Sequence, residues 1–173
     1  MSKVFIVNGQ GGSGKTTFED FVAEACEGDV AVVSMIDYTK QCAAKLGWNG
    51  AKDEKDRRFL SNLKDALTAW DDSPFLTTCA MARMAIKEGC DIVFIDAREP
   101  NDIDRLKETF NCYTILIKRG EQKDYGNHAD NNVFNYNYNI IIKNNGTIDE
   151  LHTTAEEFVK VVKGEKHDFN LLY

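Results

Sequence analysis

The chain has 173 residues, 43% of them hydrophobic and 28% charged, the size of one compact domain with a single substantial core. A formal charge of -7 works against a polyanionic partner, and no apolar run approaches the roughly 20 residues that span a bilayer, so neither a nucleic-acid nor a membrane role is expected. Five cysteines, an odd number without a C-x-x-C pair, argue against a disulfide framework or a zinc site, and without a secretory pattern after Met1 the expected compartment is the cytoplasm.

Val4 to Val7 is a short, wholly apolar, β-branched run of the kind found in a strand buried on both faces, and it ends at Asn8-Gly9. The next residues, Gly9 to Thr16, read GQGGSGKT and fit the spacing G-x-x-x-x-G-K-T. Glycines at that spacing let backbone N–H groups converge on phosphate oxygens at the positive end of the following helix. Gly9, Gly11, Gly12, Ser13, Gly14, Lys15, Thr16 and Thr17 are therefore the predicted contacts to the triphosphate of ATP. Lys15 is placed on the β and γ phosphates, and the Thr16 hydroxyl on Mg²⁺. Phe18, Phe21, Val22 and Ala25 then recur at helical spacing, so the first helix runs to about Cys26 before Gly28 stops it.

A second buried strand is expected from Val30 to Met35, followed by Asp37, a strand-end acid that orients an acceptor or caps a helix. The mixed-charge stretch Lys52 to Arg58 reads either as a solvated first helical turn or as an acceptor-phosphate clamp built on Arg57 and Arg58. Phe59, Leu60, Leu63, Leu67 and Trp70 share the face of one helix, and Ser73-Pro74 marks the start of another, with Ser as N-cap and Pro at the first helical position.

Ile92 to Ile95 forms the third strand and closes on Asp96, where a carboxylate beside the glycine loop is placed to hold Mg²⁺ or its water, or to act as a base. The competing reading is an Asp that opens a turn or caps the helix near Pro100. Arg98 leaves the same strand end with a planar fork suited to phosphate, or else pairs with Glu99 or Asp102. Tyr113 to Ile117 and Ile140 to Ile142 complete five strands. Between these last two lies a long polar segment, Gly120 to Asn137, where His128 is the one histidine placed for a ligand contact; His152 and His167 read as surface residues. Thr147 and Glu150 form a T-x-x-E capping box ahead of Leu151, Phe158, Val159 and Val162. Strands separated by helices need crossover connections, so the sheet is largely parallel with helices on both faces.

The layout resembles the nucleoside monophosphate kinase group of P-loop enzymes, most closely the phage-type deoxynucleoside monophosphate kinases. The resemblance is carried by VNGQGGSGKTTFEDF, by IDAREPND at 95 to 102, by ILIKRG at 115 to 120 and by IIIKNNGTIDEL at 140 to 151. It implies one domain over 1 to 173 with a three-layer α/β P-loop NTPase fold, a five-stranded, mostly parallel sheet, a helical acceptor-binding insertion at about 37 to 88 and a lid-like loop at about 119 to 137. It also implies that Asp96 and Arg98 face the acceptor, and that Arg119 with the Asn144 to Thr147 loop, Asn145 and Gly146 in particular, flanks the adenine. The lid segment departs from adenylate-kinase-like patterns, carrying Lys123 but no arginine, which leaves Arg57 or Arg58 as the candidate to stabilise the transferring group.

The implied reaction is ATP- and Mg²⁺-dependent transfer of the γ-phosphoryl group to a nucleoside or deoxynucleoside monophosphate, catalysed through Lys15, Asp96 and Arg98. A kinase of another small metabolite, similar to the dephospho-coenzyme A kinases, is the alternative. A nucleotide-binding protein without an acceptor is the third reading, and the D-x-x-G and N-K-x-D elements of a GTPase switch are both missing from the sequence. Oligomeric state is left open by the sequence.

Overall fold

A computed structural model describes residues 2–51, 53–120 and 132–164. Elements alternate along the chain: β1 (Lys3–Asn8), α1 (Lys15–Ala25), β2 (Val30–Ser34), α2 (Asp37–Lys45), α3 (Glu54–Asp71), α4 (Ser73–Glu88), β3 (Ile92–Asp96), α5 (Pro100–Thr109), β4 (Cys112–Lys118), a 3-10 turn (Asn132–Phe134), β5 (Ile140–Lys143) and α6 (Ile148–Val162). The five strands form one sheet in the order β2-β3-β1-β4-β5, every neighbouring pair parallel. Helices on both faces complete a three-layer α/β fold, as the alternation of buried strands and amphipathic helices requires.

The period-two alternation along β1 divides the core. Phe5 and Val7 face a cluster with Phe18 and Val22 of α1 and Ala155, Phe158 and Val159 of α6. Val4 and Ile6 face the opposite cluster with Phe75, Cys79 and Ala82 of α4 and Ile103 and Leu106 of α5. The ring of Phe158 meets Phe5 edge-on at 4.9 Å and Phe18 at 5.5 Å between centroids, so α1 is locked onto the central strand by fully buried aromatics. Each such side chain contributes on the order of 2 to 3 kcal/mol through burial. That rigid packing fixes where the start of α1, and with it the glycine loop, stands at the carboxyl end of the sheet.

Three local expectations are corrected. The β2 run is wholly apolar through Val33, yet β2 is an edge strand of the sheet and Val32 is 47% exposed. Trp70 is 80% exposed and Phe59 37%: at the helical step both lie on one margin of the arc they share with Leu60, Leu63 and Leu67, that margin faces outward, and no residue of α3 is fully buried. Ser73 is not the cap of α4. Asp72 holds that position at φ 57, closing α3 at the same time, and its carboxylate is taken up by Arg105 instead of the helix amides. The Thr147 and Glu150 capping box forms as expected.

Candidate active site

The glycine loop leaves the tip of β1 and turns directly into α1. Ser13 N–H donates to the Gln10 carbonyl at 3.1 Å, curling the loop, and Gly12 and Gly14 adopt φ 78 and 90. A Cβ on Gly9 would stand 2.8 Å from the Ile117 carbonyl oxygen, and one on Gly14 would stand 2.2 Å from Asn144 Nδ2, so both glycines are required by close approach. Gly14 sits at the N-cap of α1 without a side-chain cap, and the first turn carries no acid. The opening amides of the helix are thus directed outward with their partial positive charge uncancelled, the arrangement that receives an anion.

Lys15 Nζ donates to Asp96 Oδ2 and lies 3.8 Å from Glu19 Oε1. Asp96 arrives there because β3 pairs with β1 in the register Val7 opposite Asp96, which puts the acid beside the root of the loop. The strand-end placement, not helix capping, accounts for Asp96: the N-cap of α5 is Glu99. Glu19 is 2% exposed, and burial, with the neighbouring Asp96 charge, pushes its carboxyl up to about 9 against the partial offset of Lys15. Glu19 therefore stays protonated at neutral pH.

Ser13 Oγ and Asp96 Oδ1 are buried without hydrogen-bond partners. Buried polar atoms of this kind call for a ligand, and a glycine cradle, a helix start, an ammonium group and an acceptor oxygen fit the triphosphate and its cation. Among the described residues no group of three or more His, Cys, Asp or Glu side chains is placed to hold a metal. A Mg²⁺ ion here would accordingly be held by phosphate oxygens with Thr16, whose side chain is exposed at the loop, and Asp96.

Two asparagines grip the loop from either side: Asn8, which the sequence left without a role, and Asn144, expected only as the start of the loop beside the adenine. Asn8, fully buried at the end of β1, accepts from Gly9 N–H at 2.8 Å and donates to the Arg98 carbonyl at 3.2 Å and to the Tyr138 hydroxyl at 2.7 Å. Asn144, at the end of β5, donates to the Ser13 carbonyl at 2.9 Å. The signal available for each was a polar residue closing an apolar strand run. For Glu19 it was the i+4 spacing from Lys15 on the face that also carries Phe18 and Val22.

The loops after β4 and β5 meet: Gly120 N–H donates to Asn145 Oδ1 at 2.7 Å, with Arg119 exposed beside them. A Cβ on Gly146 would fall 1.9 Å from Glu150 Oε2, so a larger residue there would displace the carboxylate of the capping box. Thr17 is partly buried in the first turn of α1. On the other flank Arg98 is exposed at the end of β3, and Arg57 is partly buried in the opening turns of α3. Arg58 is exposed and pairs with Glu54 at 2.8 Å. Asp37 is the first residue of α2, where its carboxylate accepts from Ser34 N–H at 3.1 Å and Lys40 at 3.4 Å, bracing the β2 to α2 turn. Lys123 and His128 of the long polar segment lie outside the described residues, as does His167, whereas His152 stacks edge-on against Phe21 at 4.8 Å on the surface.

No protein-family model and no curated protein matches the sequence. Solved structures do. A sugar kinase from Janibacter sp. superposes with a TM-score of 0.55 at 13% identity, covering 95% of each chain. The shikimate kinase of Aquifex aeolicus superposes at 0.50 and 8% identity, over 94% of this chain and 97% of that one. That of Acinetobacter baumannii, solved with shikimate, superposes at 0.50 and 11%, over 97% and 96%. At such identities the likeness establishes architecture alone, and the chain has the three-layer α/β fold shared by these kinases.

Proposed function

We propose that this protein is an ATP- and Mg²⁺-dependent phosphotransferase whose acceptor is a nucleoside or deoxynucleoside monophosphate. The observation that carries the reading is the Lys15 to Asp96 contact at the mouth of a glycine cradle whose helix amides are uncapped. Each partner has a use once a triphosphate enters. Lys15 turns from Asp96 to the β and γ phosphate oxygens, and Asp96 is released to face the cation and its water. A Mg²⁺ ion held by Thr16 and Asp96 would supply positive charge that offsets the charge developing as the γ group moves. The loop amides hold the β phosphate in place, so the work of this site is positioning and charge stabilisation.

In the transfer an acceptor oxygen forms a bond to the γ phosphorus while the bond to the β,γ-bridging oxygen breaks and ADP departs. A monophosphate acceptor is already ionised at the attacking oxygen and needs cationic cover more than a base. Arg57, Arg58 and Arg98, from α3 and the end of β3, are the candidates for that cover, with α2 to α4 as the acceptor side and 119 to 137 as the lid. Arg119, Asn145 and Gly146 are proposed to flank the base of ATP, a reading supported by the joined loops after β4 and β5.

A non-nucleotide hydroxyl acceptor is the second reading, favoured by the sugar kinase and shikimate kinases among the similar structures. A hydroxyl must lose a proton, for which Asp96 is the candidate base. ADP release measured with ATP, Mg²⁺ and a panel of ribonucleoside and deoxyribonucleoside monophosphates, a sugar and shikimate separates the two. Turnover with at least one monophosphate is expected. Turnover confined to the hydroxyl acceptors, or hydrolysis that no acceptor stimulates, would overturn the first reading.

A further inference from the structure

Asn8 uses the hydrogen-bonding capacity of its side chain in one direction only. Its Oδ1 accepts from Gly9 N–H at 2.8 Å, and the two Nδ2 hydrogens go to the Arg98 carbonyl at 3.2 Å and the Tyr138 hydroxyl at 2.7 Å. Because the Tyr138 oxygen receives that proton, its own proton is directed onward, to the Val133 carbonyl at 2.6 Å. The result is a polarised chain from the root of the glycine loop to two segments that are remote in sequence. Such chains strengthen cooperatively in a dry interior, and Asn8 and Val133 are fully buried. A second bond joins the same two outer segments: Asn132 Nδ2 donates to Glu99 Oε2 at 3.2 Å.

We infer that Asn8 and Tyr138 are positioning residues that couple the phosphate loop to the turn at 132 to 138 and to the 97 to 99 loop, so that filling the phosphate cradle tightens both. The inference rests on the nucleotide reading of the loop. Phosphate bound to the loop amides fixes the Gly9 peptide, and Asn8 is held by that peptide on one side and by Tyr138 and Arg98 on the other. Opening the 132 to 138 turn must then break a chain whose far end is anchored, which raises the free energy of local opening. The coupling is reciprocal: whatever orders the turn also favours the loop geometry that holds phosphate. Tyr136 and Tyr138 stack edge-on at 5.3 Å and pack against the α4 and α5 face of the core, so the ring of Tyr138 has a packing role separable from its hydroxyl.

Amide hydrogen exchange of the full chain, with and without ATP and Mg²⁺, tests the coupling. In the parent protein ATP is expected to slow exchange at residues 9 to 16 and, by at least about fivefold, at 132 to 138. Tyr138→Phe keeps the ring and removes both hydroxyl bonds; protection at 9 to 16 should persist while that at 132 to 138 falls below about twofold, leaving the share carried by Asn132 and Glu99. Asn8→Ala should lose the ATP-dependent protection at 97 to 99 as well. Thermal unfolding of each variant verifies the fold. Protection at 132 to 138 in Tyr138→Phe equal to the parent, or protection at 9 to 16 without any at 132 to 138 in the parent, would overturn the inference alone. An unprotected 9 to 16 loop in the folded parent would overturn the nucleotide reading and this inference with it.

Discussion

Asn144, closing the edge strand β5, donates its side-chain amide to the carbonyl of Ser13 at 2.9 Å, and so reaches across from the margin of the sheet to the crest of the glycine loop. The same amide nitrogen lies where a Cβ on Gly14 would fall, at 2.2 Å. The loop is therefore gripped from the β5 side as well as from β1.

Asn144→Ala should leave the Ser13 carbonyl buried without a partner, at a stability cost of about 1 to 2 kcal/mol. A loop less well ordered before binding should hold ATP about tenfold more weakly, measured by calorimetry with Mg²⁺ present. Gly14→Ala meets both the 2.2 Å clash and the strain of φ 90, and should bind more weakly still. Equal affinity in Asn144→Ala and the parent would show that the loop orders itself.

Lys15→Ala removes the ammonium group that meets Asp96 and lies 3.8 Å from Glu19. Because Glu19 is held neutral, two adjacent carboxylates are not left charged, and the fold is expected to survive with a melting temperature within a few degrees of the parent. Phosphoryl transfer, followed as ADP formation, should fall by more than about a hundredfold, since the charge that developed on the γ phosphate loses its nearest cation. Undiminished turnover would remove Lys15 from the proposed machinery.

The fold was legible because its signals are local. Val4 to Val7 and Ile92 to Ile95 are apolar without interruption and lie at or next to the centre of the sheet, and G-x-x-x-x-G-K-T stands between a strand and a helix. What was not legible depends on residues far apart in the chain: Asn8 meets Tyr138 across 130 positions and Asn144 meets Ser13 across 131. A single sequence gives no pairing of that kind. The apolar run of β2 carried the same pattern as the central strands, since side-chain type reports burial of the two faces and says nothing of whether one edge is free. Trp70 misled for a related reason, its large apolar surface counting toward a stripe whose outward margin it occupies.

Glu19 gives the protein a pH dependence with a definite sign. Its carboxyl has an ordinary value of 4.5 and is raised to about 9 in the fold, first by burial and then by the Asp96 charge. The folded state holds the proton more tightly than the unfolded chain, so this group's stabilising share is complete below about 4.5 and is lost as pH rises toward about 9. Within that window its slope is on the order of 1 kcal/mol per pH unit. Glu19→Gln keeps the shape and a donor without the titration. Urea unfolding across the window should show a flatter stability profile in Glu19→Gln than in the parent, and parallel profiles would place the proton elsewhere.

The acceptor side is held by charge where it lacks a core. With no fully buried residue in α3, its anchorage to α5 relies on Lys64, whose ammonium meets Asp102 at 2.6 Å with both side chains at most 16% exposed. Arg105 of α5 secures the α3 to α4 corner through a two-pronged grip on Asp72, its guanidinium lying 3.7 Å over the Phe75 ring. Removing one member of a buried pair leaves the other uncompensated, so Lys64→Ala should destabilise by about 3 kcal/mol, whereas the joint replacement Lys64→Met with Asp102→Leu should be near neutral because both desolvation costs vanish. Replacing Arg105, whose side chain is 31% exposed, with Ala should cost about 1 to 2 kcal/mol, mostly through the lost stacking. If α3 carries Arg57 to the acceptor, the joint variant, folded but with the polar tether gone, should raise the KM for the acceptor several-fold while ATP affinity stays within about twofold of the parent. A KM that moves for ATP instead would mean that the Lys64 to Asp102 tether serves the phosphate loop, and that the acceptor is seated on some other part of the molecule.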